Sequence, residues 1–192
     1  NSVRDDARVK AGTATINDND AAPSFAIDDV SVNEGSATAT FTLTRSGASG
    51  AAASVDYATG NGTATAGADY TAAGATTVNF AAGETTKTVT VSLLNDTVYE
   101  GAETFLVNLS NAIGAGIADS QGVGTIRDDG TGTGGGTDND TPTLSVTSAP
   151  VTEGAPAVFT VSLNRTSTTA VSFTPTLASG TAKVTAKNDT GL

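Results

Sequence analysis

Glu34, Asp69, Asp96, Glu100, Glu103, Asp128 and Asp129 are spaced unevenly: most stand just before a strand-like run begins or just after one ends. In a β-sandwich, alternate strand junctions gather at the same end, so carboxylates far apart in sequence can meet at one pole. Crowded there, they repel one another unless a cation sits among them. Calcium is the fitting ion, being hard, accepting about six to eight oxygens at ~2.3–2.6 Å and tolerating irregular loop geometry. The competing reading is ordinary solvated surface, since acidic residues at loop ends are normally exposed. Asp-rich ends recur at Asp18-Asn19-Asp20, Asp128-Asp129 and Asp138-Asn139-Asp140, and that recurrence favours the cation.

Other chemistries are poorly supplied. The chain has no His and no Cys, so a Ser nucleophile lacks its usual base and no thiol nucleophile or thiolate metal site exists. The carboxylates have no apolar cleft around them to raise a pKa for acid–base work, so no enzyme is expected. A net charge of −11 with a pI near 4.1 repels phosphate backbones and argues against a nucleic-acid partner. No apolar run approaches the roughly 20 residues that span a bilayer, so no membrane insertion is expected for this segment.

The elements that would position these carboxylates are strands. Apolar residues alternate with Thr or Ser at Phe25-Ala26-Ile27, Ala39 to Leu43, Val78 to Phe80, Thr88 to Leu93 and Phe105 to Leu109, and Gly, Asn and Asp clusters punctuate them. This is the pattern of an all-β chain folded as an immunoglobulin-like antiparallel β-sandwich. With aromatics at only 5% and no Trp or Met, its core must be a thin one of Val, Ile, Leu, Phe and many Ala.

The chain also repeats itself. Ile16-Asn17-Asp18 returns as Ile126-Arg127-Asp128, Val32-Asn33-Glu34-Gly35 as Val151-Thr152-Glu153-Gly154, and Phe41 to Arg45 as Val161 to Arg165. A tandem repeat array follows, in four parts. Residues 1–20 are expected to be the last strand of a preceding repeat, with Arg8 to Ile16 as that strand. Residues 22–129 form one complete repeat, 130–141 a flexible Gly/Thr/Asp linker, and 142–192 the first half of a following repeat with a strand at Val171 to Phe173. In that half Gly180-Thr181-Ala182 aligns with Gly62-Thr63-Ala64, and Asp189 pairs loosely with Asp69.

Ser31 to Gly35, Val55-Asp56-Tyr57, Gly62 to Tyr70, Val78 to Glu84, Asn95 to Glu100 and the closing Asp128-Asp129 together resemble a Calx-beta domain in order and spacing. The resemblance implies an immunoglobulin-like sandwich of the kind found in sodium/calcium exchangers, an integrin subunit and large bacterial surface proteins. It further implies Ca2+ ligands at Glu34, Asp69, Asp96, Glu100, Asp128 and Asp129. Asn95 departs from the pattern, standing where strongly binding members carry a second Asp, which implies a weaker site.

The functional expectation is a calcium-binding structural repeat of an extracellular or cell-surface adhesin, stalk or filament, with Ca2+ stiffening the junctions. Its partners would be neighbouring repeats of the same chain and other copies in a fibre. The alternative is a calcium-responsive module binding a protein, a glycan or ice without a stalk role. Thr13-Ala14-Thr15 and Thr63-Ala64-Thr65 are too few and too separated to make an ice-binding face. Tyr57, Tyr70 and Tyr99 read as scaffold whose hydroxyls bond at loops. Gly35, Gly67 and Gly83 read as turn residues with positive φ.

Overall fold

The computed structural model describes residues 20–176 and residue 178, and these form two compact units. The expected leading strand, Gly180 to Ala182 and Asp189 lie outside the described residues. The first unit holds the residues up to Asn95 together with Ala102–Asn139, and the second holds Asp96–Gly101 with the residues from Asp140 onward.

The first unit contains β1 (Ser24–Ile27), β2 (Val30–Asn33), β3 (Thr38–Ser46), β4 (Ala53–Asn61), β5 (Thr76–Phe80), β6 (Thr86–Ser92), β7 (Ala102–Ile113), β8 (Gly116–Ile117) and β9 (Gln121–Arg127). They build two sheets, in the orders β6-β3-β1-β8 and β2-β9-β7-β4-β5. No helix occurs among the described residues, and the fold is the expected all-β sandwich.

The ladders are not all antiparallel, however. β1 runs parallel to β8, with Phe25 opposite Ile117, and β2 runs parallel to β9, with Asn33 opposite Arg127. The cause lies in Asp28-Asp29, which carries the chain from one sheet to the other. Asp28 Oδ1 accepts the Thr42 N–H at 2.6 Å, and Asp29 Oδ1 accepts the Val123 N–H at 2.7 Å. Each aspartate thus fastens the crossing to one sheet, and the entering chain contributes β1, between β3 and β8, to one sheet and the edge strand β2 to the other.

Strand alternation delivers the core. Along β3, Ala39, Phe41, Leu43 and Arg45 point inward while Thr38, Thr40, Thr44 and Ser46 stay exposed. Phe25 packs on Phe80 with centroids 5.1 Å apart, Phe41 meets Phe105 edge-on at 5.8 Å, and Tyr70 stacks on Phe105 at 4.7 Å. A thin core needs such close approach. A Cβ at Gly124 would sit 2.4 Å from the Phe105 ring, so glycine there lets β9 lie against the aromatic centre. The Tyr70 hydroxyl donates to Asn61 Oδ1 at 2.6 Å, as expected of a buried tyrosine at a loop.

The second unit is sparser. β10 (Leu144–Ser148) pairs antiparallel with β11 (Phe159–Leu163), and every residue of both strands is exposed. Nearby, the Tyr99 N–H donates to the Thr166 carbonyl at 2.9 Å, and the Tyr99 carbonyl accepts the Thr168 N–H at 3.0 Å. Val171 to Phe173, expected as a strand, joins no ladder among the described residues. Alternation marks a chain suited to a sheet, but a strand also requires a neighbour that offers its backbone groups.

Candidate metal centre

One end of the sandwich is where β2 and β9 finish side by side. The Glu34 N–H donates to the Arg127 carbonyl at 2.8 Å, so Glu34 and Asp128 leave adjacent strands together. Glu34 does not open a strand, as its position in the sequence suggests. It follows β2 in a tight turn closed by the Ser36 N–H on the Asn33 carbonyl at 3.0 Å. Both carboxylates are withdrawn from solvent, Glu34 at 5% and Asp128 at 2% exposure.

The third member comes from the segment expected to be a flexible linker, and that expectation fails. Thr133 lies against β2, its N–H donating to the Ser31 carbonyl at 3.0 Å and its carbonyl accepting the Asn33 N–H at 3.1 Å. Asn33, fully buried, then holds Asp138 by both backbone groups: its Nδ2 donates to the Asp138 carbonyl at 2.9 Å, and its Oδ1 accepts the Asp138 N–H at 3.0 Å. Residues 130–139 therefore belong to the first unit. Small residues permit the fold-back, since a Cβ at Gly136 would lie 2.4 Å from the Ser36 nitrogen. Gly35 acts in the same way: it lacks the expected positive φ, and a Cβ on it would come within 2.8 Å of the Asp138 Cβ. Gly67 and Gly83 do adopt positive φ, at 91° and 82°.

The result is a triad in which one carboxylate oxygen from each of Glu34, Asp128 and Asp138 lies within 4.8 Å of the others. Asp138 Oδ2 is buried without a hydrogen-bond donor among the described residues. Three acidic groups from three chain segments, two of them withdrawn from solvent and the third half-buried, form a place where positive charge is favoured. An all-oxygen donor set selects a hard cation of the calcium type.

The other expected ligands are placed differently. Asp69 is buried, and its Oδ2 accepts the Thr65 N–H at 2.6 Å and the Thr65 hydroxyl at 3.3 Å, which closes the loop before Tyr70. One of its carboxylate oxygens lies within 4.8 Å of one from Glu103. Asp129 turns to its own loop, where Oδ1 accepts the Thr131 N–H at 3.0 Å and, in a very short bond, the Thr131 hydroxyl. The Thr131 hydroxyl holds the Asp129 carboxyl below its ordinary range, aided by the Thr131 N–H and the Arg127 charge and opposed by partial burial. Asp96 and Glu100 belong to the second unit. There Asp96 is exposed and accepts the Val98 N–H at 2.7 Å, while Glu100 is half-buried with its carbonyl accepting the Thr169 hydroxyl at 2.8 Å. Asp138 is the one member of this triad that is not among the expected ligands, although its Asp-Asn-Asp surroundings repeat those of Asp18 to Asp20.

Residues 17–130 match the family model of the Calx-beta domain. Among solved structures, the apo-form Calx CBD1 domain is 25% identical with a TM-score of 0.54, covering 57% of this chain and 99% of that one. CBD12 from CALX1.2 is 26% identical with a TM-score of 0.52, over 55% of this chain and 45% of that one. The calcium binding domain CBD12 of CALX1.1, 24% identical with a TM-score of 0.51 over 55% of this chain and 45% of that one, supports the fold alone. No curated protein matches the sequence.

Proposed function

Since this chain belongs to the Calx-beta domain family, we propose that its complete repeat is a calcium-binding structural unit, held by Glu34, Asp128 and Asp138, within an extracellular stalk, adhesin or filament. The observation that carries this reading is the convergence of three carboxylates, two of them nearly inaccessible to water, around a buried oxygen of Asp138 that has no donor among the described residues. A bound Ca2+ would supply positive charge to all three there.

Two of the three ligands leave the sandwich and the third comes from the fold-back, so occupancy ties residues 130–139 to the domain end. Without the ion the like charges repel, and they work against the hydrogen bonds that tie the fold-back to Ser31, Asn33 and Ser36. Calcium thereby converts a loose exit from the domain into a firm one, which suits a chain of beads that must transmit force. A set of three carboxylates among the described residues suits a weak site of about 10⁻⁴ to 10⁻³ M, which fills outside cells where calcium is about millimolar. Neighbouring repeats and further copies of the chain are the partners this role requires.

Calorimetric titration of the chain with Ca2+ tests the binding, and small-angle scattering with and without Ca2+ tests the stiffening. A saturable heat near millimolar Ca2+ and a longer maximum dimension are expected. Binding with an unchanged dimension would discard the stalk mechanism while leaving the site intact.

A further inference from the structure

At the other end of β3 lies a cation with no evident counterpart. Arg45 points into the sandwich at 2% exposure, and its Nε and Nη1 are buried without an acceptor among the described residues. A guanidinium cannot shed its charge at accessible pH, so its burial is tolerable only beside an anion. We propose that Arg45 is the socket of a latch whose bolt is Asp20, the acidic residue just ahead of β1, and that the same latch recurs in each repeat.

Three observations converge on this pair. The second unit displays it directly, because Arg165 Nη1 forms an ion pair with Asp140 Oδ1, and the Asp140 carboxylate is almost wholly withdrawn from solvent. Arg165 is the repeat counterpart of Arg45, and Asp140 ends the same Asp-Asn-Asp tripeptide that Asp20 ends. Twenty-five residues separate Asp20 from Arg45, and 25 separate Asp140 from Arg165. The local chain path agrees: the Ala48 N–H donates to the Ala21 carbonyl at 2.9 Å, which sets the residue after Asp20 beside the turn that follows β3. Nearby carboxylates are committed elsewhere, Glu84 to the Lys87 ammonium at 2.8 Å and the Ala81 N–H at 2.8 Å, and Asp28 to the Thr42 N–H at 2.6 Å.

The latch gives the Asp-Asn-Asp tripeptide a divided role. Asp138 serves the carboxylate triad of the first unit, while Asp140, two residues on, serves the arginine of the second.

The test is a double-mutant cycle on the full chain in EDTA, which separates it from the calcium reading, scored by urea unfolding. Asp20→Asn should lower the folding equilibrium constant by about tenfold, and Arg45→Gln by about a hundredfold, as expected when one partner of a buried charge pair is removed. The double variant should be no worse than Arg45→Gln alone within about threefold. Effects that multiply instead would overturn the latch, as would stabilisation by Arg45→Met, the outcome for a buried arginine with no partner. Should Arg45 variants fail to fold, the NMR-detected exchange of the Arg45 Nε–H decides. It should be protected in the unmodified chain and at least tenfold faster in Asp20→Asn, with β3 amides unchanged; equal rates would sink the proposal.

Discussion

Asp128 and Asp129 are adjacent, chemically identical and turned to opposite tasks. Asp128 continues the inward alternation of β9 beyond its last ladder residue and is buried at 2% exposure beside Glu34 and Asp138. Asp129 faces the other way and is used up by a hydroxyl and an N–H of Thr131 two residues later. A carboxylate that caps its own turn has its charge met locally and has little left to offer an ion. One that is carried inward by strand parity lies against two other carboxylates from distant segments, where a shared cation can serve all three. Acidic content at a loop end therefore says little, and parity with the preceding strand says much.

The largest test of this contrast removes the inward charges. Glu34→Gln or Asp128→Asn should weaken Ca2+ binding by more than the roughly 10- to 100-fold typical of losing an outer-shell partner, measured by calorimetry. In EDTA the same variants should melt no lower than the parent, because they relieve repulsion. A lower midpoint without calcium would mean that the carboxylates are structural.

Next in size is the fold-back that presents Asp138. Gly136→Ala drives a Cβ toward the Ser36 nitrogen and should cost about 10- to 100-fold in Ca2+ affinity, since it displaces a positioned ligand. The sandwich ladders should keep their hydrogen-exchange protection. Unchanged affinity would remove Asp138 from the site.

Asp129→Asn should change Ca2+ affinity by less than about threefold if the Asp128–Asp129 contrast holds, because the turn-capping role does not involve the ion. A loss comparable to that of Asp128→Asn would erase the distinction. The smallest effect is on titration. In Thr131→Val the Asp129 carboxyl should titrate closer to its ordinary value of 3.8, as followed by side-chain NMR. The depressed pKa means that this bond's stabilisation is fully present above about pH 3.8 and is lost as pH falls through the lower folded value. Thr131→Val should flatten that part of the acid unfolding curve.

Much of this was legible in the residues. The Thr-apolar alternation of β3 and β6 and the inward series Phe105, Val107 and Leu109 of β7 announce half-buried strands, because each inward position is Ala, Val, Leu or Phe with few exceptions. β2 and β8 were not legible: four and two residues long, they owe their strand state to β9 and β1 beside them rather than to their own pattern. Of the triad, Glu34 and Asp128 could be picked out as residues at strand ends. Asp138 could not, because Gly130 to Thr137 has the composition of a linker, and what orders it is a buried side chain about a hundred residues earlier, Asn33. Asp129 and Thr131, and Asp69 and Thr65, stand at acid–hydroxyl spacings that close local loops and so commit part of each carboxylate in advance.

The decisive measurement is a crystal structure of the chain grown in millimolar CaCl2, with anomalous scattering used to locate the ion. The account requires a calcium peak about 2.3–2.6 Å from oxygens of Glu34, Asp128 and Asp138, with Asp129 still bonded to Thr131. Carboxylates of Glu34, Asp128 and Asp138 directed apart into solvent with no peak between them would contradict it.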